Sequence, residues 1–203
     1  MTVLPLIFTS GWASGINAYA VVMLLGLLGR FGGAESVPHV LERTDVLIAA
    51  IVLTICDAVA DKIPYVDSVW DAVHTVIRPV AGAVVAALLA GQHPGSLGQL
   101  AAGAIGGGVA LASHVVKASL RMAVNTSPEP LSNIVISLLE DLAVAGLVTL
   151  AIFHPWAAAS VAAVLLVAGL LLVWFAFARI RRFLANRRER RGRRAGVAAA
   201  LGS

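Results

Sequence analysis

The sequence predicts an all-α protein of about six membrane-spanning helices, and three observations carry that prediction. Of 203 residues, 59% are apolar and only 13% are charged, about half the charged share of a soluble domain. The mean hydropathy is +0.90, the reverse of the balance found in disordered chains. The apolar residues also fall into runs of the length a bilayer demands, about 20 residues, separated by short connections rich in turn formers. The formal charge of +4 and the pI near 10 are deceptive, because the charges are segregated. Up to residue 178 the chain has six basic and ten acidic residues, net −4. From Arg179 onward it has nine arginines and one acid, Glu189, net +8. An acidic membrane body with a basic tail is a different object from a basic protein, and no nucleic acid is expected as a partner. Length allows one membrane domain, residues 1–180, followed by a basic tail, residues 181–203.

Taken in order, the first segment runs from Val3 to Leu28, with Ser10-Gly11 and Ser14-Gly15 as expected breaks and the first nine residues as a possible separate piece. With no Lys or Arg before it, this segment lacks the basic start of a secretory signal and is expected to be retained. The second runs from Asp45 to Ile63 and stops at Pro64. The third starts after Asp67, with Ser68 and Asp71 spaced as a capping box and Asp67 an equally good cap, and ends near Ala90. The fourth spans Leu97 to Val124, the fifth Leu131 to Phe153 and the sixth Trp156 to Ile180. Turn residues join them: Phe31-Gly32-Gly33, Pro64, Gln92-His93-Pro94-Gly95, Thr126 to Pro130, and His154-Pro155.

The positive-inside rule puts the arginine tail in the cytoplasm. Six spans then put the N-terminus there too, whereas five or seven would move it to the other side. A bacterial inner membrane is the expected location. Arg181, Arg182, Arg187 and Arg188 are placed to bind anionic lipid headgroups. The fourth segment carries Gly103, Gly106, Gly107, Gly108 and Ala110, small residues that let helices approach closely in lipid. They serve packing within the chain or a homodimer face.

The two halves share a pattern. Each opens with a small-residue helix carrying polar groups, Ser14, Asn17 and Tyr19 in one and Ser113, His114 and Lys117 in the other. Each continues through a proline-containing loop to a helix with buried acids, Asp57 and Asp61, then Glu140 and Asp141. Three helices per half predict inverted repeats, residues 1–91 and 97–180, as in many secondary transporters.

Charges at membrane depth are costly and mark function or buried pairs. Asp57 and Asp61, at i and i+4, share one helix face. Glu140 and Asp141 point about 100° apart. With Asn17 they are expected to converge near the bilayer midplane as a substrate or ion pathway. Such carboxylates suit hard cations, with Asp57, Asp61 and Glu140 the ligands of any metal, or protons, since crowded acids in low dielectric hold them. Arg78, Lys117, His74 and His114 are the expected charge partners, and a lattice of buried ion pairs accounts for the same residues without transport. Asp67, Asp71, His74 and Arg78 lie at steps of 4, 3 and 4, one face of the third helix. On the fourth helix, Arg121 is expected to snorkel to the surface. No phosphate-binding loop, His-Glu-x-x-His or catalytic triad pattern is present, so no enzyme activity and no cofactor are expected. The single cysteine, Cys56, reads as a small apolar side chain.

At Ala13-Ser-Gly-Ile-Asn-Ala-Tyr-Ala20 and Ala60-Asp-Lys-Ile-Pro-Tyr-Val-Asp-Ser-Val-Trp-Asp-Ala-Val-His74, the chain resembles an uncharacterised bacterial integral-membrane family catalogued only as a domain of unknown function. The resemblance covers most of the chain up to about Ile180 and implies a polytopic inner-membrane protein, with no activity or catalytic residues to carry over. Asp61-Lys62 is also similar to the end of the Glu-x-Gly-Asp-Lys motif of cation/proton exchangers. Here Ala60 replaces the Gly, Ala58 stands at the Glu position, and Glu140-Asp141 lacks the Gly-Asp-Lys. The expected function is a small transporter or permease, coupled to a cation or proton. The alternative is a non-catalytic accessory subunit of a larger envelope complex.

Overall fold

The computed structural model describes residues 3–63, 65–91, 96–124 and 130–201, with side chains outside 96–97, 124, 130–133 and 184–201. Among these residues there are six helices and no strand: α1 (Leu4–Gly32), α2 (Thr44–Ala60), α3 (Val66–Gly91), α4 (Ser96–Val124), α5 (Pro130–Phe153) and α6 (Pro155–Leu201). Each expected segment has its helix. Five of them, α1, α3, α4, α5 and the Pro155–Phe183 part of α6, are long and apolar enough to cross a membrane. With 17 residues, α2 rises about 25 Å, close to the shortest length that spans. The connections at Pro64, 92–95 and 125–129 lie outside the described residues.

The bundle is apolar on its outside and charged within. On α3, Val66, Val69, Val73, Val76, Val80 and Val84 are exposed, whereas Asp67, Asp71, His74, Arg78 and Gly82 are buried. On α2, Ile48, Val52, Ile55 and Val59 are exposed, whereas Asp57 and Asp61 are buried. Water would reverse that pattern, and hydrocarbon demands it. This is a multi-pass membrane protein. On α6 the exposed Trp156 and Trp174 are separated by 18 residues, about 27 Å of helix. That matches the interval between the two aromatic belts of a bilayer, and the arginines begin just beyond.

The expected breaks in α1 at Ser10-Gly11 and Ser14-Gly15 are absent, and so is a separate first piece. Thr9 and Ser10 donate back to the carbonyls of Pro5 and Ile7, which keeps their hydroxyls inside the helix. The break is at Asn17, which leaves the helical region at φ −148°, ψ 93°. Its Oδ1 accepts the Ala20 N–H at 2.9 Å, so Asn17 is the N-cap of a second arm, residues 18–32.

The two arms fold back on each other. In the first arm, residues 4–16, Gly11 lies against Gly106 and Ser14 against Gly82. At the tip, Tyr19 reaches His74. Beyond it Val22 shares a groove with Val46 of α2 and with Val76, Val80 and Val84 of α3, and Gly26 packs on Leu41 and Leu47. Both ends of α1 therefore lie where α3 ends, and α1 enters and leaves by one face. Its length suits a span, but its path is a re-entrant hairpin. With α1 returning to the face it enters by, α2 to α6 are left to cross, and Leu4 and the tail are expected on opposite faces. All six expected helices are present, and one asparagine turns the first of them around. The path of α1 departs from the inverted plan at its first pair. The first arm runs parallel to α4, with Gly11 on Gly106 and Gly15 on Ala110 and Ser113, and α4 is unbroken.

The glycine face of α4 is occupied within the chain. A Cβ at Gly11 would lie 2.8 Å from the Gly106 carbonyl, and one at Gly106 would lie 2.7 Å from the Gly82 carbonyl. Three helices meet there at backbone distance, as small residues allow. Gly106→Leu is expected to abolish recovery of folded, monodisperse protein, whereas Gly108→Leu, where a Cβ meets nothing, leaves it unchanged. Epitopes fused at the two ends are expected to be reached from opposite sides of sealed vesicles. Both tags accessible from one side would contradict the hairpin.

Candidate functional site

Two linked clusters of charge fill the centre of the bundle, and the stripe on α3 organises the first. Arg78 is fully buried. Its Nη2 donates to Asp57 Oδ1 at 3.1 Å. Its Nη1 donates to Asp71 Oδ1 at 2.9 Å and to His114 Nδ1 at 3.1 Å. The rigid fork of a guanidinium suits this bridge between two carboxylates. Trp70 Nε1 also donates to Asp57 Oδ1, at 2.6 Å.

These contacts fix both histidine tautomers. His74 Nδ1 lies 2.8 Å from the Trp70 carbonyl, which only accepts, so Nδ1 carries hydrogen. In the neutral ring His74 Nε2 then accepts from Tyr19 Oη at 3.0 Å. Arg78 only donates, so His114 Nδ1 is bare and Nε2–H points to Thr75 Oγ1 at 3.1 Å. Thr75 in turn donates to the Asp71 carbonyl. His114 meets Arg78 as a neutral acceptor. His74 lies edge-on to Tyr19, with ring centroids 5.6 Å apart, and over Trp70 at 4.6 Å. Its Nε2 is 4.0 Å from Asp57.

The second cluster joins α2, α4 and α5. Lys117 Nζ donates to Asp61 Oδ2 at 2.5 Å and to the Ile16 carbonyl at 3.0 Å, with Glu140 Oε2 at 3.5 Å. Arg121 Nη2 donates to Asp61 Oδ2 at 3.0 Å and to Glu140 Oε2 at 2.8 Å, and its Nη1 donates to the Asp61 carbonyl. Asp67 lies 3.8 Å from Arg121. Beside this cluster, Asn17 Nδ2 donates to Asp141 Oδ1 at 3.5 Å, and Lys62 donates to the Ala58 carbonyl and to Ser137. One oxygen each of Asp57, Asp61 and Asp71 is buried with no hydrogen-bond partner.

All the expected pathway residues and charge partners are on inward faces, but they do not converge on one point. Asp57 and Asp61 share a face of α2 and serve different cations, one on α3 and one on α4. Glu140 and Asp141 diverge as adjacent helical residues must, Glu140 toward α4 and Asp141 toward α1. Asp57, Asp61 and Glu140 are therefore not a metal cage. Among the described residues no three His, Cys, Asp or Glu side chains are placed to hold a metal ion. Arg121 does not snorkel; it is buried because three carboxylates hold it. The steps of 3 and 4 along His114, Lys117 and Arg121, which put all three on one helix face, were the available signal. Trp70, Thr75 and Tyr19 also belong to the network, and nothing in their local sequence singles them out as hydrogen-bonding partners. Cys56 is exposed on the outer face of α2. Arg181 and Arg182 are exposed on α6, whereas the side chains of Arg187 and Arg188 lie outside the described residues.

The second cluster lies toward the tail side. Gly169 of α6 packs on Val116, and Arg121 is five residues further, roughly 8 Å, about level with Trp174. Glu140 keeps 15% of its side-chain surface exposed, whereas Asp61, Lys117 and Arg121 beside it are buried. Removing one partner of a buried pair costs about 3–5 kcal/mol. Arg78→Met is expected to lose that much, read as a lower unfolding midpoint in detergent, with Arg78→Lys recovering only part because an ammonium cannot fork to both acids. Asn17→Ala, which removes a cap and the Asp141 contact, is expected to cost about 1–2 kcal/mol.

A family model described as "Domain of unknown function (DUF4126)" matches residues 4–175, all of the helical bundle up to the first tail arginine. No curated protein and no solved structure gives a match. The likeness to cation/proton exchangers thus rests on Asp61-Lys62 alone. The chain belongs to the DUF4126 family.

Proposed function

We propose that the chain is a small secondary transporter or permease that moves its cargo with protons. The observation that carries this reading is an imbalance of charge beside a broken helix. Among the described residues of the network six carboxylates, Asp57, Asp61, Asp67, Asp71, Glu140 and Asp141, face four fixed cations, Lys62, Arg78, Lys117 and Arg121. An excess of two negative charges is costly in low dielectric, and up to two protons relieve it. The unpartnered buried oxygen of Asp71 is a place for one of them. A helix broken at depth next to ionisable groups is a feature of transporter sites. The membrane is read as a bacterial inner membrane with the tail in the cytoplasm, where Arg181, Arg182, Arg187 and Arg188 meet anionic headgroups.

One observation favours the second reading, an accessory subunit of a larger membrane complex. Arg78, Lys117 and Arg121 each already hold carboxylates, and that suffices to fasten the helices without cargo. In liposomes holding purified protein and a trapped pH dye, the transport reading expects an imposed proton gradient, alone or with Mn²⁺ or Ca²⁺ outside, to decay faster than in empty liposomes. Asp57→Asn and Glu140→Gln should slow that decay at least tenfold. Inert wild type, or equal decay in both variants, would sink transport. Stoichiometric copurification with another membrane complex would then favour the accessory role.

A further inference from the structure

The break in α1 leaves a carbonyl without its helical partner. Ile16 would normally accept the N–H of Ala20, but that N–H is bound to Asn17 Oδ1. The free carbonyl, at the negative end of a half-helix, points at Lys117 Nζ, 3.0 Å away. The ammonium also lies on Asp61 Oδ2 and Glu140 Oε2. The second oxygen of Asp61 is buried with no donor. Lys117 is only 3% exposed, so bulk solvent does not reach its ammonium.

A half-helix carbonyl with flanking carboxylates is an oxygen set that binds alkali cations where helices are broken in membranes. Here it surrounds a charged group that the chain itself supplies. We propose that this cage is a monovalent-cation site permanently filled by the ammonium of Lys117, so that the protein carries a tethered cation where an exchangeable one would fit. The ammonium ties the tip of the hairpin to α2, α4 and α5 and makes the fold indifferent to sodium. Removing the ammonium while leaving the oxygens opens the site to an alkali ion from solution. Arg121 does not substitute, because its guanidinium reaches Asp61 and Glu140 from the next turn of α4.

The inference concerns which charge fills the site and stands whether or not the chain transports anything, so the test reads stability and not flux. The full chain in detergent is melted in sodium chloride and in choline chloride at equal ionic strength. Wild type is expected to show the same midpoint in both. Lys117→Ala is expected to melt lower in choline and to regain several degrees in sodium, saturably, as ligand linkage requires. Adding Asp61→Asn to Lys117→Ala should remove the sodium effect. If Lys117→Ala cannot be recovered in choline, extraction and purification in the two salts replace the melt. Folded protein in sodium alone supports the proposal, and equal loss in both overturns it. Folded Lys117→Ala with one midpoint in both salts overturns it as well.

Discussion

A helix that breaks inside a membrane must have its open ends answered by protein, because hydrocarbon offers no hydrogen bonds. The break at Asn17 sets this requirement, and much of the interior follows from it. Asn17 caps the second arm with its own side chain. Ser113 donates to the Trp12 carbonyl in the last turn of the first arm. Lys117 takes the Ile16 carbonyl. An ammonium at that depth needs anions, and Asp61 and Glu140 supply them from α2 and α5. Those acids in turn hold Arg121, which reaches Asp67 at the start of α3. One broken helix thus fixes the positions of four others.

Such a network is a poor source of net stability, since desolvation of buried ions offsets most of their attraction. Its value lies in geometry. Arg78 can fork between Asp57 and Asp71 only if α2 meets α3 in one register, and His114 accepts from Arg78 only as one tautomer. The apolar contacts that let these groups meet come from small residues. Gly11, Gly82 and Gly106 bring α1, α3 and α4 to backbone distance, close enough for short side chains to pair across. A larger residue there would separate the charges as well as the helices.

The charged interior is placed unevenly across the bilayer. The cluster around Arg78 lies behind the hairpin tip, closed off by Tyr19 and Trp70. The cluster around Lys117 and Arg121 lies nearer the arginine tail, with Glu140 partly exposed. The re-entrant hairpin fills the opposite half with apolar contacts, Val21, Leu25, Val85 and Leu89 among them. The two ends of the interior therefore differ, apolar around the hairpin and charged nearer the tail.

The sequence by itself determined the solvent, the helices and the identity of the charged residues. Composition, run length and the stripe Asp67-Asp71-His74-Arg78 sufficed, because hydrophobic periodicity is a local property. The family was legible in two short motifs for the same reason. Tertiary structure alone decided the pairing and the path. Asp57 and Asp61 look equivalent along α2, and only the packing of α3 and α4 sends one to Arg78 and the other to Lys117. Arg121 looked like a snorkelling residue, since its spacing gives no measure of the three carboxylates gathered around it. The turn at Asn17 was hidden because an apolar run of 29 residues reads as one span. The side chain that caps the second arm is local, but the lysine that answers the first arm comes from 101 residues away. Long-range partners of that kind leave no trace in the periodicity of either segment.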